Sequence, residues 1–204
     1  MSIDSYAGLL QAVGDYAVRT DMGARAPEFV ALAEARLNRV LRVRPMVGRT
    51  ALSLGAEYVS LPADYLGVRT LSLDGSPRGR LEFVTPDQMD QLKASRGATG
   101  RPEAYAIAGT ELRLHPAPDA AYGAELSYFR RLPPLAANGV NWLLTAAPDA
   151  YLYGALVQLG ILTEDERLPA WSEAWNAAIG ELTAADPAET LPPALTPAPT
   201  LTPV

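Results

Sequence analysis

Apolar residues recur at helical spacing near both ends of the chain, and a region with a different period separates them. The four helical patterns cover residues 5–17, 27–41, 148–162 and 165–182. Spacings of three and four residues predict amphipathic helices. The predicted core-facing stripes are Leu9, Leu10, Val13, Tyr16 and Ala17; Phe29, Val30, Ala33, Leu37, Val40 and Leu41; Tyr151, Leu152, Ala155, Leu156, Leu159 and Leu162; and Leu168, Trp171, Trp175, Ile179 and Leu182.

Residues with a preference for helix ends mark where these helices begin. Ser5 can cap the first helix, and Pro27 suits the first turn of the second, where its missing N–H is not needed. Asp165 can cap the fourth helix. Pro45 ends the second, because proline cannot continue a helix.

The region from residue 49 to 131 has the period of strands. Residues 66–73 alternate and stop at Asp74-Gly75, which is a strong hairpin signal. Thr85 and Pro86 start a short helix within this region. The other predicted strands cover residues 50–54, 57–61, 80–84, 105–108, 111–115 and 124–130.

The order of elements predicts an α+β fold, in which a four-helix bundle carries an inserted small β-rich subdomain and an extended proline-rich C-terminal arm. Helices at the two ends of a chain can pack together because domain termini often lie close in space. The predicted bundle is formed by residues 1–48 and 145–186, the β-rich insertion by 49–144 and the arm by 187–204.

The arm differs from the rest of the chain in composition. Prolines at this density exclude a helix and favour extended backbone. Leu191, Leu195, Leu201 and Val204 recur among the prolines and threonines, and Glu189 is the only charged side chain. This pattern favours an arm that docks onto a partner through main-chain hydrogen bonds and spaced apolar anchors. The alternative is a disordered tail.

Length and charge limit the class of protein. The 204 residues suffice for one domain with a hydrophobic core, and the formal net charge of -6 argues against a protein that coats nucleic acid. The absence of cysteine excludes disulfides and thiolate metal sites. The sequence shows neither a signal peptide nor an apolar stretch long enough for a bilayer, so we expect a protein of the cytoplasm without a membrane partner.

The residues that usually carry catalysis are sparse. His115 is the single histidine, and the sequence contains neither a nucleophile elbow nor a phosphate-binding loop. We therefore predict no catalytic residue, no metal and no cofactor. A hydrolase that uses surface carboxylates stays open as an alternative, and it would require a cleft with perturbed acids.

A run of arginines lies at the end of the second helix and in the segment that leaves it, with no acidic residue among them. It consists of Arg36, Arg39, Arg42, Arg44 and Arg49. One interpretation is a solvated surface that is favoured near a helix C-terminus. The other is a contact with an acidic neighbouring subunit or with packaged DNA.

Several segments, taken in order, resemble the head–tail adaptor proteins of bacteriophages. Residues 57–66 (EYVSLPADYL) are similar to a segment of these adaptors, and residues 100–107 with 112–119 are similar to an adaptor hairpin. Residues 141–156 resemble the entry to the third adaptor helix, and residues 29–44 resemble its second helix. Asp165-Glu166-Arg167 and Trp171 match the start of the fourth helix. The resemblance covers the chain up to about Leu182, and the order and spacing of the segments carry it.

The resemblance is to adaptors like the tail tubular protein A of short-tailed phages. It implies a structural protein rather than an enzyme, located at the neck of the virion after assembly in the host cytoplasm. It also implies a homo-oligomeric, twelvefold ring beneath the portal that connects head to tail. Portal and tail or nozzle proteins would be its partners. Double-stranded DNA would pass through the lumen during ejection without sequence-specific contacts.

Two groups of residues fit roles in such an adaptor. The arm would reach the portal through Leu191, Pro192, Leu195, Pro197 and Leu201. The five arginines would contact the portal or DNA in the channel. The alternative function is a soluble interaction module with a proline-rich partner-binding tail.

Overall fold

The computed structural model describes residues 3–18, 20–75, 79–95 and 99–185. Within them the chain is α+β, with seven α-helices and two four-stranded sheets. The predicted four-helix bundle with a small inserted β-rich subdomain is therefore wrong. In chain order the elements are α1 (Tyr6–Ala17), α2 (Ala26–Val40), β1 (Val47–Leu54), β2 (Tyr58–Ser60), β3 (Tyr65–Leu73), β4 (Gly79–Arg80), β5 (Glu82–Phe83), α3 (Pro86–Ser95), β6 (Ala104–Ala108), β7 (Glu111–His115), β8 (Tyr122–Arg130), α4 (Leu135–Asn138), α5 (Trp142–Ala146), α6 (Pro148–Thr163) and α7 (Leu168–Ala184).

These elements fall into two compact units. The helical unit is the described part of Met1–Pro45 and Leu132–Val204, and the β unit is that of Met46–Arg131. The helical unit contains six of the seven described α-helices, and α3 belongs to the β unit. Two of the six, α4 and α5, have four and five residues. Segments this short show no helical period in the sequence, which is one reason why the four-helix prediction failed.

Local signals set most helix starts. The Ser5 hydroxyl accepts a hydrogen bond from the N–H of Gly8 at 3.2 Å, and Pro27 lies in the first turn of α2, so both predictions are confirmed. The predicted cap of the last helix is wrong. Its N-cap residue is Arg167, and the Asp165 carboxylate accepts from the N–H and guanidinium of Arg167 instead.

Helix α6 is the centre of the helical unit. Its apolar residues are distributed around the whole helix, and nine residues between Ala150 and Gly160 are buried. Helices α1, α2, α5 and α7 all contact it. A helix that is apolar on every side is stable only when it is covered on every side, so α6 requires this shell of neighbours.

Two glycines in α6 allow α7 to pack closely. A Cβ atom on Gly154 would lie 2.9 Å from Nε1 of Trp175 and 3.1 Å from Cβ of Ala33. A Cβ atom on Gly160 would lie 3.2 Å from the ring of Trp171. The indoles of Trp175 and Trp171 therefore occupy the space that a side chain at position 154 or 160 would fill.

The β unit consists of two sheets. The first has the order β1-β8-β3-β4 and is antiparallel throughout. The second has the order β2-β7-β6-β5, in which only the β5–β6 pair is parallel. The predicted hairpin around Gly109 is the β6–β7 pair, and Gly109 has the positive φ of 62° that this turn requires.

The two sheets share a core of their own. Residues of β1, β3, β6, β7 and β8, together with Leu81 between β4 and β5, form one buried cluster. Its members are Leu54, Leu71, Leu73, Leu81, Tyr105, Leu112, Leu114, Ala124, Leu126 and Tyr128. Helix α3 covers the opposite face of the second sheet, where Met89 packs with Ala104 and Ala106. An eight-stranded unit with a core of this size is not a small insertion, which is the second reason for the correction.

A buried polar network links α2, α4, α5 and α6. The Tyr151 hydroxyl, fully buried, donates to Oε1 of Glu34 at 3.1 Å and accepts from Nδ2 of Asn141 at 2.7 Å. The N–H of Leu135 also donates to Glu34, at 3.2 Å. Burial raises the pKa of the Glu34 carboxyl, and the bonds from Leu135 and Tyr151 offset part of that rise.

Glu34 should make the folded protein less stable as the pH rises. Because its pKa is higher in the folded than in the unfolded protein, the folded protein binds the proton more tightly. The stability that Glu34 contributes is then present below pH 4.5, its pKa in the unfolded protein, and is lost as the pH rises through its higher pKa in the folded protein. We expect Glu34→Gln to equal the wild type in stability near pH 4 and to exceed it increasingly toward pH 7, since the amide oxygen still accepts both bonds.

Chemical denaturation between pH 4 and pH 8 measures this difference. Glu28→Gln is the matched control, because Glu28 pairs with Arg25 in solvent, with 61% of its side chain exposed. Its stability should follow the wild type at every pH. A Glu34→Gln variant that is less stable than the wild type at pH 7 would contradict the expectation.

Candidate assembly surfaces

The predicted arginine run does not form one surface. The guanidinium of Arg36 lies over the ring of Trp175, 4.3 Å from its centroid, so this side chain is half-buried within the helical unit. Nη1 of Arg42 donates to the carbonyl oxygen of Asn38 at 2.9 Å. That bond satisfies one of the free carbonyls at the C-terminal end of α2.

The remaining three arginines are exposed, but they lie in different units. Arg39 and Arg44 lie with Arg42 at the C-terminal end of α2, where Val40 is 49% exposed. We call Arg39, Val40, Arg42 and Arg44 the basic ridge. Arg49 belongs to the β unit and lies on β1 opposite Ser127 of β8.

The residues predicted to form the portal-binding arm all lie outside the described residues. They are Leu191, Pro192, Leu195, Pro197 and Leu201.

A second surface was missed by the sequence analysis. Tyr16 and Leu162 were assigned to core-facing stripes, yet they are 51% and 50% exposed, and the stripe residue Val40 is exposed as well. Val18 and Ile161 are exposed beside them in the chain, at 80% and 57%. We call Tyr16, Val18, Ile161 and Leu162 the end patch.

Arg167 brings the two halves of the end patch to the same end of the helical unit. Its guanidinium donates to the carbonyl oxygens of Tyr16 at 3.1 Å and Ala17 at 3.0 Å, and it pairs with Asp165 at 2.8 Å. It also lies over the ring of Trp171, 4.6 Å from its centroid. The C-terminal end of α1 is thereby tied to the turn between α6 and α7.

Acidic residues surround the end patch along the chain. Asp15 is exposed at the end of α1, and Glu164 and Glu166 are exposed after α6. Asp165 is engaged by Arg167, so the three exposed carboxylates set the charge of this rim. The four exposed apolar residues of the end patch are thus flanked in the chain by exposed carboxylates, whose charge is opposite to that of the basic ridge.

The most concentrated ion pairs hold α3 on the second sheet. Oε1 of Glu57 accepts from Lys93 at 2.6 Å and from Arg113 at 3.2 Å, and Arg113 pairs with Asp90 at 2.8 Å. The hydrogen bond from Lys93 lowers the pKa of Glu57, and the bond to Asp90 raises the pKa of Arg113. Each group stabilises the charged form of its neighbour, which is the pattern of a structural clamp.

The described residues show no arrangement typical of metal chemistry or of a membrane anchor. His115 is buried at the end of β7. Within the described ranges, no three His, Asp or Glu side chains are grouped so that they could hold a metal ion. None of the helices in the described part of the chain is both long and apolar enough to cross a bilayer.

The chain matches a known protein family over nearly its whole length. No curated protein matches the chain. The family model described as SU10 adaptor protein matches residues 4–197, which is nearly the whole sequence and includes both units. The chain therefore belongs to the SU10 adaptor protein family, a family of bacteriophage structural adaptors.

Proposed function

We propose that this protein forms a ring beneath the portal of the phage head, joins it to the tail and extends the channel for DNA. The match of residues 4–197 to the adaptor family carries the proposal. We place the protein at the virion neck, in a twelvefold ring like that of tail tubular protein A. Tail or nozzle proteins would bind the ring on the side away from the portal.

The two surfaces of the helical unit support assembly into a ring. The end patch and the basic ridge differ from each other, so a contact between them is head-to-tail rather than symmetric. Head-to-tail contacts close into rings when the rotation between subunits divides a full turn.

For the C-terminal arm, the sequence itself supports a docking role. From residue 193 to 203 every odd position is proline or leucine, and every even position is alanine or threonine. In an extended strand, consecutive residues direct their backbone polar groups to opposite edges. All prolines of this segment would then fall on one edge, and the other edge would retain every N–H donor. Such a strand can pair on one side only.

Leucine and proline would also share one face of that strand. Leu195, Pro197 and Leu201 then become the apolar anchors, while the bonding edge is supplied by Ala194, Thr196, Ala198, Thr200 and Thr202. We propose that this strand, with Leu191 and Pro192 before it, binds the portal.

Of the five arginines, we keep Arg49 for contact with the portal or with DNA in the channel. It is exposed on β1, whereas Arg36 and Arg42 make contacts within the helical unit. An arginine that meets passing DNA would contact phosphates and would carry no sequence preference.

Electron microscopy of the purified protein mixed with the portal encoded near it tests the proposed function. We expect a second twelvefold ring stacked on the portal. A well-formed portal without any bound copies would overturn the proposal. It would favour the soluble interaction module, whose proline-rich tail binds a groove in a different partner.

Truncation after Ala185 tests the arm. We expect a folded protein with the thermal stability of the full chain and no measurable portal binding. A sharper test compares two double variants. One carries Thr196→Pro and Thr200→Pro, and the other carries Thr196→Ala and Thr200→Ala. The prolines remove two N–H donors from the bonding edge and should abolish binding, whereas the alanines keep them and should bind. Equal binding by both variants would contradict main-chain pairing.

A further inference from the structure

The helical unit carries two exposed surfaces of opposite character, and we infer that they bind each other between neighbouring copies. The end patch of one copy packs against the basic ridge of the next. This inference rests on the proposed ring and names the surfaces through which its subunits meet.

The two surfaces lie at opposite ends of the helical unit. The end of α1 lies near the start of α2, because the short turn Thr20–Arg25 joins the two helices and contacts both of them. The end patch therefore lies at the end of the unit where α2 starts. The basic ridge lies at the other end of this 15-residue helix, about 20 Å along its axis.

This separation prevents the two surfaces of one copy from meeting each other. Contact between them requires a second copy, and it leaves one unused surface on each side of the resulting dimer. Addition of further copies then continues in the same direction until the ring closes.

Charge and apolarity both match across the proposed contact. The rim of the end patch offers Asp15, Glu164 and Glu166, and the ridge offers Arg39 and Arg44, with the exposed Arg42 bonded to carbonyls at the end of α2 between them. The apolar centre of the patch has a counterpart in Val40, which is 49% exposed between the arginines. A buried apolar centre with charged pairs at the rim is the usual construction of a protein interface.

Val18 is a costly residue for the position that it occupies. Its φ of 55° and ψ of 31° place a β-branched side chain in the left-handed region, where glycine or asparagine is usual at a helix end. Among the described residues, Val18 is also the most exposed large apolar residue, at 80%. A valine at this position does not stabilise the fold of a single copy, but it would stabilise an apolar contact with another copy.

Disulfide cross-linking tests the contact, and the lack of native cysteine removes any background. Val18→Cys protein is mixed with Val40→Cys protein, free at high concentration and bound to portal, and the mixture is oxidised. We expect a dimer that forms only when both variants are present. A chain carrying both substitutions should give a ladder of dimers, trimers and larger species. Ile161→Cys repeats the test from α6 in case cysteine disturbs the turn at residue 18.

Ala51→Cys is the matched control, since Ala51 is exposed on β1 and belongs to neither surface. It should not cross-link above the level of random collision. Cross-linking of Val18→Cys to itself would replace the head-to-tail contact with a symmetric one. Cross-linking of Val18→Cys to the portal would make the portal the occupant. Either result, or no cross-link in both preparations, overturns the inference.

Charge exchange provides an independent measurement. Arg39→Glu should weaken self-association about tenfold, and Glu166→Arg on the partner copy should restore part of it. The wild-type association should weaken as salt is added. A ring that forms on the portal without the Val18–Val40 cross-link would refute this contact and leave the proposed function standing. Absence of any ring would refute the proposed function itself.

Discussion

Trp175→Ala is expected to lower the free energy of unfolding by about 3–5 kcal/mol, the usual cost of truncating a buried tryptophan. The Trp175 side chain is 4% exposed and packs between α2 and α6. Its removal opens a cavity against Gly154, which has no side chain to fill the space. It also uncovers the Arg36 guanidinium, which lies 4.3 Å from the ring centroid. Chemical denaturation of the purified variant measures the loss.

Gly154→Ala should reveal the reason for that cost. In the wild type the new Cβ would lie 2.9 Å from Nε1 of Trp175, so we expect a loss of about 1–3 kcal/mol from overpacking. In the Trp175→Ala background that contact is gone, whereas the 3.1 Å approach to Cβ of Ala33 remains, so the same substitution should cost clearly less than in the wild type, about 0–1 kcal/mol. The two substitutions are therefore strongly non-additive.

Gly180→Ala is the matched control for this cycle. A Cβ atom at this position of α7 would have nothing within 4 Å, so only the helix propensity changes. We expect a gain of about 0.5–1 kcal/mol in both backgrounds. Additive behaviour of Gly154→Ala and Trp175→Ala would show that the indole does not depend on the glycine.

These residues also show what the sequence could not predict about packing. The helical pattern placed Trp171 and Trp175 on the packing side of the last helix, and both are buried. Nothing in the sequence pairs them with Gly154 and Gly160, because a glycine in a helical pattern indicates only a weak helix former. Which partner fills the space beside a glycine is set by the packing of two helices, not by either pattern alone.

Errors in the predicted core occur at the ends of helices. Tyr16, Val40 and Leu162 continue an apolar stripe and were assigned to the core, yet each lies in or next to the last turn of its helix and is about half exposed. Periodicity specifies a direction around the helix axis, but it does not specify where along the axis the neighbouring element ends. For that reason the sequence contained the members of the end patch but gave no signal that they were exposed.

The arginine run failed as a single site for a related reason. Five arginines without an acidic neighbour in sequence suggested one basic surface, but Arg36 finds an aromatic partner in α7 and Arg42 binds carbonyls of its own helix. Arg49 lies in the other unit. Spacing along a chain can propose which charges share a face, whereas tertiary contacts decide which of them stay available to another molecule.

Asn141→Ala is expected to cost about 3 kcal/mol or more, because one side chain satisfies several buried groups. Its Oδ1 caps α5 by accepting from the N–H of Leu144 at 3.0 Å, a contact usually worth about 1 kcal/mol. Its Nδ2 donates to the Tyr151 hydroxyl at 2.7 Å and to the carbonyl oxygen of Pro133 at 2.9 Å. Each buried polar group that loses its partner adds about 1–3 kcal/mol.

Two further variants separate the cap from the donors. Asn141→Asp keeps an oxygen for Leu144 but replaces both N–H donors by an acceptor, so we expect it to recover little of the stability at neutral pH. Asn138→Ala is the matched control, since Asn138 makes a single exposed bond to the Pro134 carbonyl and should cost no more than about 0.5–1 kcal/mol. If Asn141→Asp were as stable as the wild type, the cap alone would account for the residue. The hydrogen bonds from Asn141 to Tyr151 and from Tyr151 to Glu34 would then contribute nothing to the stability of the helical unit.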